Sequence, residues 1–353
     1  MRAAMPAFLS LLAALTGCAA APPPTASQDM QTIAYATTGW GHARDLRGEY
    51  RQALCPLLTA SSECETVLLR FPGESAVLRN VTTSSSTAKR YQIVFVPGLF
   101  ADCAEPWVAP FSDVVEDMRQ AGVETLMLRV AGRAGTEQNA AQLAREIAAL
   151  PDKGKRLIVF AYSKGLPDML DLLLRYPQAR ARIAAVVSYA GAFNGSLLAD
   201  EFSGVYSEFI ARLPLDGCSS GTGAELDALR PEVRQSWWHA HQHELRAANV
   251  PFFSLVGAPL PDQVSPMLRS SHTRLARHDA NNDGQLLARD AVVPGSALLG
   301  FVNADHWAMA IPMTRQLPAL AALFRDDVPR SALVKAAIEV VDKTLNPSPA
   351  PRH

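Results

Sequence analysis

Short apolar runs of the kind that form buried strands alternate with amphipathic stretches of helical spacing along most of the chain. The strand-like runs are Tyr91–Val96, Glu124–Val130, Leu157–Ala161, Ile183–Ala190, Val250–Gly257 and Leu298–Val302. The helical stretches are Pro110–Gln120, Thr136–Leu150, Pro167–Tyr176, Thr314–Phe324 and Ser331–Leu345. This alternation predicts an α/β fold whose central sheet is mostly parallel and covered by helices on both faces.

Two segments depart from the alternation. Thr66–Phe71 and Ala76–Val81 flank a Pro-Gly pair, which predicts an antiparallel hairpin ahead of the parallel strands. Residues 195–249 lie between two strand-like runs and carry helical patterns, so we expect a helical cap over a cleft. Trp237 and Trp238 in this cap could face an apolar substrate, but large aromatic residues more often pack, and packing onto the sheet is favoured.

The composition is that of an ordinary globular protein. The chain has 353 residues, of which 48% are hydrophobic and 19% charged, and its formal net charge is −1. This balance lacks the basic excess typical of nucleic-acid-binding proteins. The length allows one large domain or two small ones, and the element pattern favours one domain with an insertion.

The first residues predict export. Arg2 precedes a short apolar run, Phe8–Leu15, which is too short to span a membrane as a mature helix. The small residues before Cys18 resemble the lipobox of bacterial lipoproteins. The resemblance implies a signal peptide over residues 1–17, cleavage before Cys18 and attachment of acyl chains such as palmitate to that residue. An ordinary signal peptide with a chance cysteine is the alternative.

Several expectations follow from export as a lipoprotein. Residues 18–35, rich in Ala, Pro, Ser and Thr, would form a flexible tether, and residues 36–353 would form the folded domain. Ala19, which is not an aspartate, resembles lipoproteins sent to the outer membrane, where the domain would face the periplasm. Multiple acyl chains would anchor the protein stably to that membrane.

The remaining cysteines suit an oxidising compartment. Cys55, Cys64, Cys103 and Cys218 are even in number and allow three pairings. We favour Cys55–Cys64, which are close in sequence, together with Cys103–Cys218. Free buried thiols are the alternative.

The candidate chemistry centres on Ala161–Gly165, a small-x-Ser-x-Gly sequence between a strand-like run and a helical stretch. This context is typical of a nucleophile elbow, in which a sharp turn exposes the serine hydroxyl, here that of Ser163. His306 follows the last strand-like run and is the best candidate for the base that a serine nucleophile needs.

The other histidines fit a catalytic role less well. His239, His241 and His243 lie in the cap, and their spacing does not put all three on one helical face. We expect a polar cap surface there rather than a metal site.

Residues about Tyr91 to Phe324 resemble the α/β-hydrolase superfamily. The resemblance is carried by Ala161–Gly165, Val96–Phe100, Asp290–Pro294 and Asp305–Trp307. It implies the chain order nucleophile, acid, histidine.

The same resemblance implies an oxyanion hole made of backbone N–H groups. One would come from Lys164 and the other from Leu99 or Phe100. We expect the Lys164 side chain to lie in solvent at the cleft edge and not to act as a catalytic base.

Two aspartates compete for the acid position. Asp290 begins a segment similar to the Asp-Gly-x-Val-Pro of many esterases and lipases, with Ala in place of Gly. Asp283 lies in an Asn-Asp-Gly sequence that is similar to some bacterial lipases. Asp290 is favoured because its distances from the preceding strand and from His306 are closer to the usual spacing.

The same loop has a pattern of possible calcium ligands. Asp279, Asn281, Asp283 and Asp290 occupy positions 1, 3, 5 and 12 of an EF-hand-like loop, with Gly284 at position 6. A proline and a glycine soon afterwards would spoil the helix that follows such a loop, so a polar turn is favoured. No other cofactor is expected.

Together these features predict a serine hydrolase that cleaves carboxylic esters, with apolar acyl substrates suggested by the cap. The alternative is a catalytically inactive lipoprotein of the same fold that binds lipid or serves envelope assembly. The sequence leaves the oligomeric state open.

Overall fold

The structure, a computed structural model, describes residues 43–60, 63–71, 73–74, 90–104, 108–205 and 221–347. Its strands are β1 (Arg44–Asp45), β2 (Leu68–Leu69), β3 (Tyr91–Val96), β4 (Thr125–Met127), β5 (Arg156–Tyr162), β6 (Ile183–Tyr189), β7 (Phe252–Gly257) and β8 (Ala297–Val302). They form one sheet in the order β1-β8-β7-β6-β5-β3-β4. Among the described strands, these neighbours are all parallel, whereas β2 pairs antiparallel with β8.

Helices surround this sheet within the described residues. They are α1 (Arg47–Leu54), α2 (Cys64–Val67), α3 (Ala101–Ala104), α4 (Ser112–Gln120), α5 (Thr136–Ala149), α6 (Gly165–Arg175), α7 (Pro177–Ala181), α8 (Leu197–Val205), α9 (Ala224–Asp227), α10 (Pro231–Ala247), α11 (Arg269–Leu275), α12 (His306–Ala310), α13 (Met313–Gln316) and α14 (Arg330–Leu345). The predicted α/β fold with a mostly parallel sheet is confirmed.

The sheet is buried on both faces, which explains why its central strands are apolar at most positions. Along β3, Ile93 and Phe95 belong to one hydrophobic cluster, and Val94 and Val96 belong to another. The first cluster includes residues of α1, α4 and α14, and the second includes residues of α5, α6 and α10. Alternate side chains of a strand point to opposite faces, so each helical layer has its own core.

The early hairpin is the main departure from the predicted elements. Helix α2 takes up the first residues of the run Thr66–Phe71, and the strand is confined to Leu68–Leu69. This strand pairs with β8. The second strand of the predicted hairpin, Ala76–Val81, lies outside the described residues.

The closing helix predicted over Thr314–Phe324 is also shorter than expected. It divides into α13 and a 3-10 helix over Pro318–Leu323. Pro318 lacks the N–H that would continue the α-helical hydrogen bonds.

The insertion after β6 has two structural roles. Helix α10 packs against α6, where Trp238 is buried against Phe193 and Trp237 Nε1 donates to Asp171 Oδ1 at 2.9 Å. Both tryptophans therefore have the favoured packing role, and neither lines the pocket described below. Helices α8 and α9 reach that pocket instead.

The predicted disulfide between Cys55 and Cys64 is present, with the Cα atoms 5.2 Å apart. Cys103 is disulfide-bonded as well. Cys218, its expected partner, lies outside the described residues, as do Cys18 and the predicted signal peptide and tether. Across the described ranges, no helix is long and apolar enough to cross a membrane.

Candidate active site

Ser163 lies at the sharp turn that was predicted between β5 and α6. Its φ is 54°, in the left-handed region that non-glycine residues rarely adopt. The turn needs close backbone approach: a Cβ added to Gly165 would lie 2.7 Å from the carbonyl oxygens of Val96 and Pro97. Glycine at this position therefore lets α6 begin directly against the end of β3.

His306 meets Ser163 from the other side of the cleft. It is the first residue of α12, shortly after β8, and its Nε2 lies 2.9 Å from Ser163 Oγ. Two neighbours hold it: the Tyr162 hydroxyl donates to the His306 carbonyl at 2.8 Å, and Asp305 caps α12 by accepting from Ala308 N at 3.0 Å. These contacts were not predicted from the sequence, although an aspartate just before a helix is a capping signal.

The carboxylate on the far side of the imidazole belongs to Asp283. Its Oδ2 lies 2.7 Å from His306 Nδ1, and its Oδ1 accepts from the backbone N–H groups of Gln285 at 2.9 Å and Leu286 at 2.7 Å. The backbone N–H of His306 donates to the Asp283 carbonyl at 2.9 Å. Asp283 is buried, so these contacts fix its carboxylate against the ring.

Asp290, favoured from the sequence, does not contact His306. Its Oδ1 accepts from Asn194 Nδ2 at 2.8 Å, and burial raises the pKa of its carboxyl. The loop between β7 and β8 turns back on itself through a bridge between Asn282 and Leu287. This turn brings Asp283 to His306, and Asp290 anchors the loop that follows β6 instead.

The three backbone N–H groups expected as oxyanion donors differ in their contacts. Phe100 N donates to the Gly132 carbonyl at 3.0 Å, so this N–H is committed within the protein. The N–H groups of Leu99 and Lys164 donate to no acceptor among the described residues, and Leu99 lines the pocket beside Ser163. These two N–H groups are therefore the available pair.

The sequence predicted that the Lys164 side chain lies in solvent at the cleft edge. This prediction is wrong, because the side chain is fully buried. Its Nζ lies 2.7 Å from Asp168 Oδ1, and both side chains are 1% exposed. Asp168, four residues after Lys164, supplies a counter-charge to the ammonium in place of the expected contact with solvent. Burial raises the pKa of the Asp168 carboxyl, and the Lys164 ammonium and the Asn139 amide oppose that shift.

The proposed calcium ligands do not converge on one point. Asp279 binds Asn281 N at 2.9 Å and Arg289 at 3.3 Å, and Asp283 and Asp290 have the contacts given above. Within the described ranges, no group of three or more His, Cys, Asp or Glu side chains could hold a metal ion. The backbone N–H groups of Asn281, Gly284 and Gln285 donate to the side chains two residues before them, which is typical of a polar turn.

An apolar pocket of about 200 Å³ opens onto Ser163 and His306. Its walls come from the turn after β3 (residues 98–101, called the oxyanion turn below), from the insertion and from the segment that contains α12 and α13. The apolar lining includes Leu99, Val108, Leu198, Ala199, Phe202, Leu226, Leu229, Ile311 and Met313, and the polar lining beyond Ser163 and His306 includes Ser196 and Gln285. A serine activated by a histidine at the base of such a pocket can attack a carbonyl whose apolar substituent fills it.

Comparisons with known proteins bear on the fold and the family of this chain. A carboxyl esterase of metagenomic origin is 32% identical in its solved structure, with a TM-score of 0.79, and the match covers 95% of this chain and 99% of that one. A lipase from Bacillus licheniformis in its mature form is 20% identical, with a TM-score of 0.52, over 69% of this chain and 94% of the lipase. The second likeness concerns the fold alone. No protein-family model and no curated protein matches the sequence.

Proposed function

The chain belongs to the α/β-hydrolase family of carboxyl esterases and lipases, and on that premise we propose that it hydrolyses carboxylic esters through an acyl-enzyme formed on Ser163. The observation that carries the proposal is the continuous contact from Asp283 through His306 to Ser163, with distances of 2.7 and 2.9 Å. The three groups lie in the chain order Ser, Asp, His, and Ser163 and His306 line an apolar pocket.

Acylation would proceed as follows. Ser163 Oγ forms a bond to the ester carbonyl carbon as His306 Nε2 takes the hydroxyl proton, and the carbonyl oxygen becomes an oxyanion. The N–H groups of Leu99 and Lys164 donate to that oxygen. The C–O bond to the alcohol then breaks, and His306 returns the proton to the leaving oxygen.

Deacylation would repeat these steps with water. His306 Nε2 takes a proton from the water as its oxygen attacks the acyl carbon, and then protonates Ser163 Oγ as the acid leaves. Throughout, Asp283 accepts the hydrogen bond from His306 Nδ1. It thereby holds the tautomer that presents Nε2 to the serine and stabilises the imidazolium when it forms.

The lining of the pocket supports an apolar acyl or alkyl group as the part of the substrate bound there. Leu198, Ala199 and Phe202 of α8 form one wall, and Leu226 and Leu229 continue it. Burial of each additional methylene against such a wall is worth about 0.8 kcal/mol. With p-nitrophenyl esters, kcat/KM should therefore rise from acetate to medium-chain acyl groups.

Covalent labelling tests the proposal. A fluorophosphonate should modify the folded protein on the peptide that contains Ser163, as read by mass spectrometry, and protein unfolded in guanidinium serves as the control. Folded protein that remains unlabelled and retains bound lipid, with no turnover on the ester panel, would support the lipid-binding alternative instead.

Gly98→Ala should lower kcat about 100-fold, because a displacement of the reacting groups by about 1 Å has effects of that size. A Cβ at this position would lie 2.8 Å from Ser163 Cβ and 3.2 Å from its Oγ. The nucleophile or the oxyanion turn must therefore move. Gly135→Ala gives a matched control, because this glycine has a φ of −68° and its added Cβ would meet only Ala224 Cβ at 3.5 Å, an ordinary contact. Unchanged kcat per labelled site in Gly98→Ala would contradict this prediction.

We further propose that lipid on Cys18 anchors the domain in the bacterial cell envelope, at the outer membrane facing the periplasm. The lipobox-like residues before Cys18 and the disulfide at Cys55 and Cys64 support an exported location. Residues 19–42 would then separate the anchor from the first described residue.

A further inference from the structure

The two available oxyanion donors lie on separate segments of the chain. Lys164 follows the nucleophile on the β5–α6 turn, whereas Leu99 lies in the turn after β3. Stabilisation of an oxyanion depends on donors that are already aimed at the developing charge, so the spacing of these two N–H groups must be held. The structure contains a series of polar contacts that joins the two segments.

The first part of this series of contacts starts from the Lys164 side chain. Its ammonium binds Asp168 Oδ1 at 2.7 Å within the first turn of α6. The other oxygen, Asp168 Oδ2, accepts from Asn139 Nδ2 on α5 at 2.9 Å. All three side chains are buried, with exposures of 0%, 1% and 1% for Lys164, Asp168 and Asn139.

The second part leads from α5 to the loop after β4. Asn139 Oδ1 accepts from the backbone N–H of Ala131 at 3.1 Å. Asn139 therefore spends both ends of its amide on the connection between the elbow helix and this loop. An apolar side chain of the same size could fill the space but could make neither contact.

The third part reaches the oxyanion turn. The carbonyl of Gly132 accepts from Phe100 N at 3.0 Å, and Gly132 N donates to Asp102 Oδ1 at 2.8 Å. The approach is close, because a Cβ on Gly132 would lie 2.7 Å from Phe100 Cα and 2.4 Å from Asp102 Oδ1. The loop thus holds the turn at residues on both sides of Ala101, directly after Leu99.

We propose that Asn139 and Asp168 are positioning residues that hold the Leu99 and Lys164 N–H groups at the spacing the oxyanion needs. This inference rests on the proposed function, since it concerns the same site. It also explains why a lysine is buried directly after the nucleophile. With its Asp168 partner, the Lys164 side chain fastens the segment that carries one donor to the segment that carries the other.

The test replaces Asn139, the middle residue of this series of contacts. Asn139→Leu should lower kcat about 10- to 100-fold per labelled active site and change KM less than about twofold, because the donors contribute mainly in the transition state. The inhibition constant of a trifluoromethyl ketone, whose hemiketal oxygen occupies the oxyanion position, should rise by about the same factor as kcat/KM falls.

Two further variants separate positioning from general loss of stability. The double substitution Lys164→Met with Asp168→Leu removes the ion pair without leaving a buried charge, and should reproduce the effects on kcat and on the inhibitor. Trp237→Phe removes a hydrogen bond of similar length to Asp171, which lies on α6 like Asp168 but is not part of this series of contacts. It should leave kcat and the inhibition constant unchanged. Wild-type values in Asn139→Leu, or equal losses in Trp237→Phe, would overturn the inference.

Amide hydrogen exchange gives a readout that needs no substrate. In Asn139→Leu, the peptides covering residues 98–102 and 163–168 should both exchange faster than in Trp237→Phe. If the wild type neither reacts with fluorophosphonate nor hydrolyses esters, the proposed function fails, and exchange still decides whether Asn139 connects the two segments. Unchanged exchange in both peptides would overturn the inference by itself.

Discussion

Ser163→Ala is expected to lower kcat for ester hydrolysis by about 10⁶-fold, since a lone loss of the nucleophile in a serine hydrolase costs about as much as loss of the whole triad. The His306 imidazole would remain, but with no hydroxyl 2.9 Å from its Nε2 no acyl-enzyme could form. The measurement is steady-state hydrolysis of a p-nitrophenyl ester under excess substrate, together with the burst of p-nitrophenol that reports the acyl-enzyme.

The substitution should have little effect on stability, because it removes one oxygen at a pocket surface. Relief of the left-handed backbone at Ser163 is not expected either, since alanine meets the same restriction. Similar denaturation midpoints for the two proteins would show that the loss is chemical. Activity within tenfold of wild type would mean that another group is the nucleophile.

Asp283→Asn is expected to lower kcat by about 10⁴-fold, as loss of the acid does in related triads when the geometry is kept. The asparagine could still receive the N–H groups of Gln285 and Leu286, so the loop should stay in place. An amide that presents its NH₂ group to Nδ1 would, however, hold the imidazole in the tautomer whose Nε2 carries a proton. Such a histidine cannot accept the Ser163 proton.

Asp290→Asn is the matched control, because it is the same chemical change seven residues further along the same loop. Its Oδ1 could still accept from Asn194 Nδ2, so kcat should remain within about twofold of wild type, as expected of a residue outside the triad. The reverse result, with a large loss at Asp290 and a small one at Asp283, would restore the assignment favoured from the sequence. Both kcat values should be divided by the titrated concentration of active sites.

The sequence predicted those parts of the site whose position follows from the strands. Ser163, Lys164 and Leu99 follow β5 and β3, and parallel strands bring such turns to one edge of the sheet. His306 could be found for the same reason, since it follows β8 closely. The fold could be predicted because buried strands and amphipathic helices differ in period and length.

The choice between Asp283 and Asp290 could not be made in this way, because their positions depend on a long loop. Between β7 and β8 the chain forms short helices and a tight bridge at Asn282, and motif spacing alone does not show which aspartate this path brings to the histidine. Asp283 and Asp290 differ in their partners, and both partners are distant in sequence. The motif around Asp290 was therefore weaker evidence for the triad acid than the contacts that the two aspartates make.

The buried Lys164–Asp168 pair was missed for a related reason. Lysine and aspartate four residues apart on a helix are usually a solvated surface pair. Asn139, which completes their contacts, lies in a separate helix with no pattern to link it to the elbow. Only the packing of α5 against α6 shows that these groups share one buried site.

The close approach of Gly98 to Ser163, and of Gly165 to the end of β3, divides the pocket into parts with different freedom to evolve. Its floor consists of backbone from two strand ends, those of β3 and β5, with no space for a methyl group, so changes there should alter the chemistry. The facing wall comes from the insertion after β6, where Leu198, Ala199 and Leu226 can vary without moving those strand ends. Libraries directed at this wall should therefore change which esters are accepted while they preserve the reaction itself.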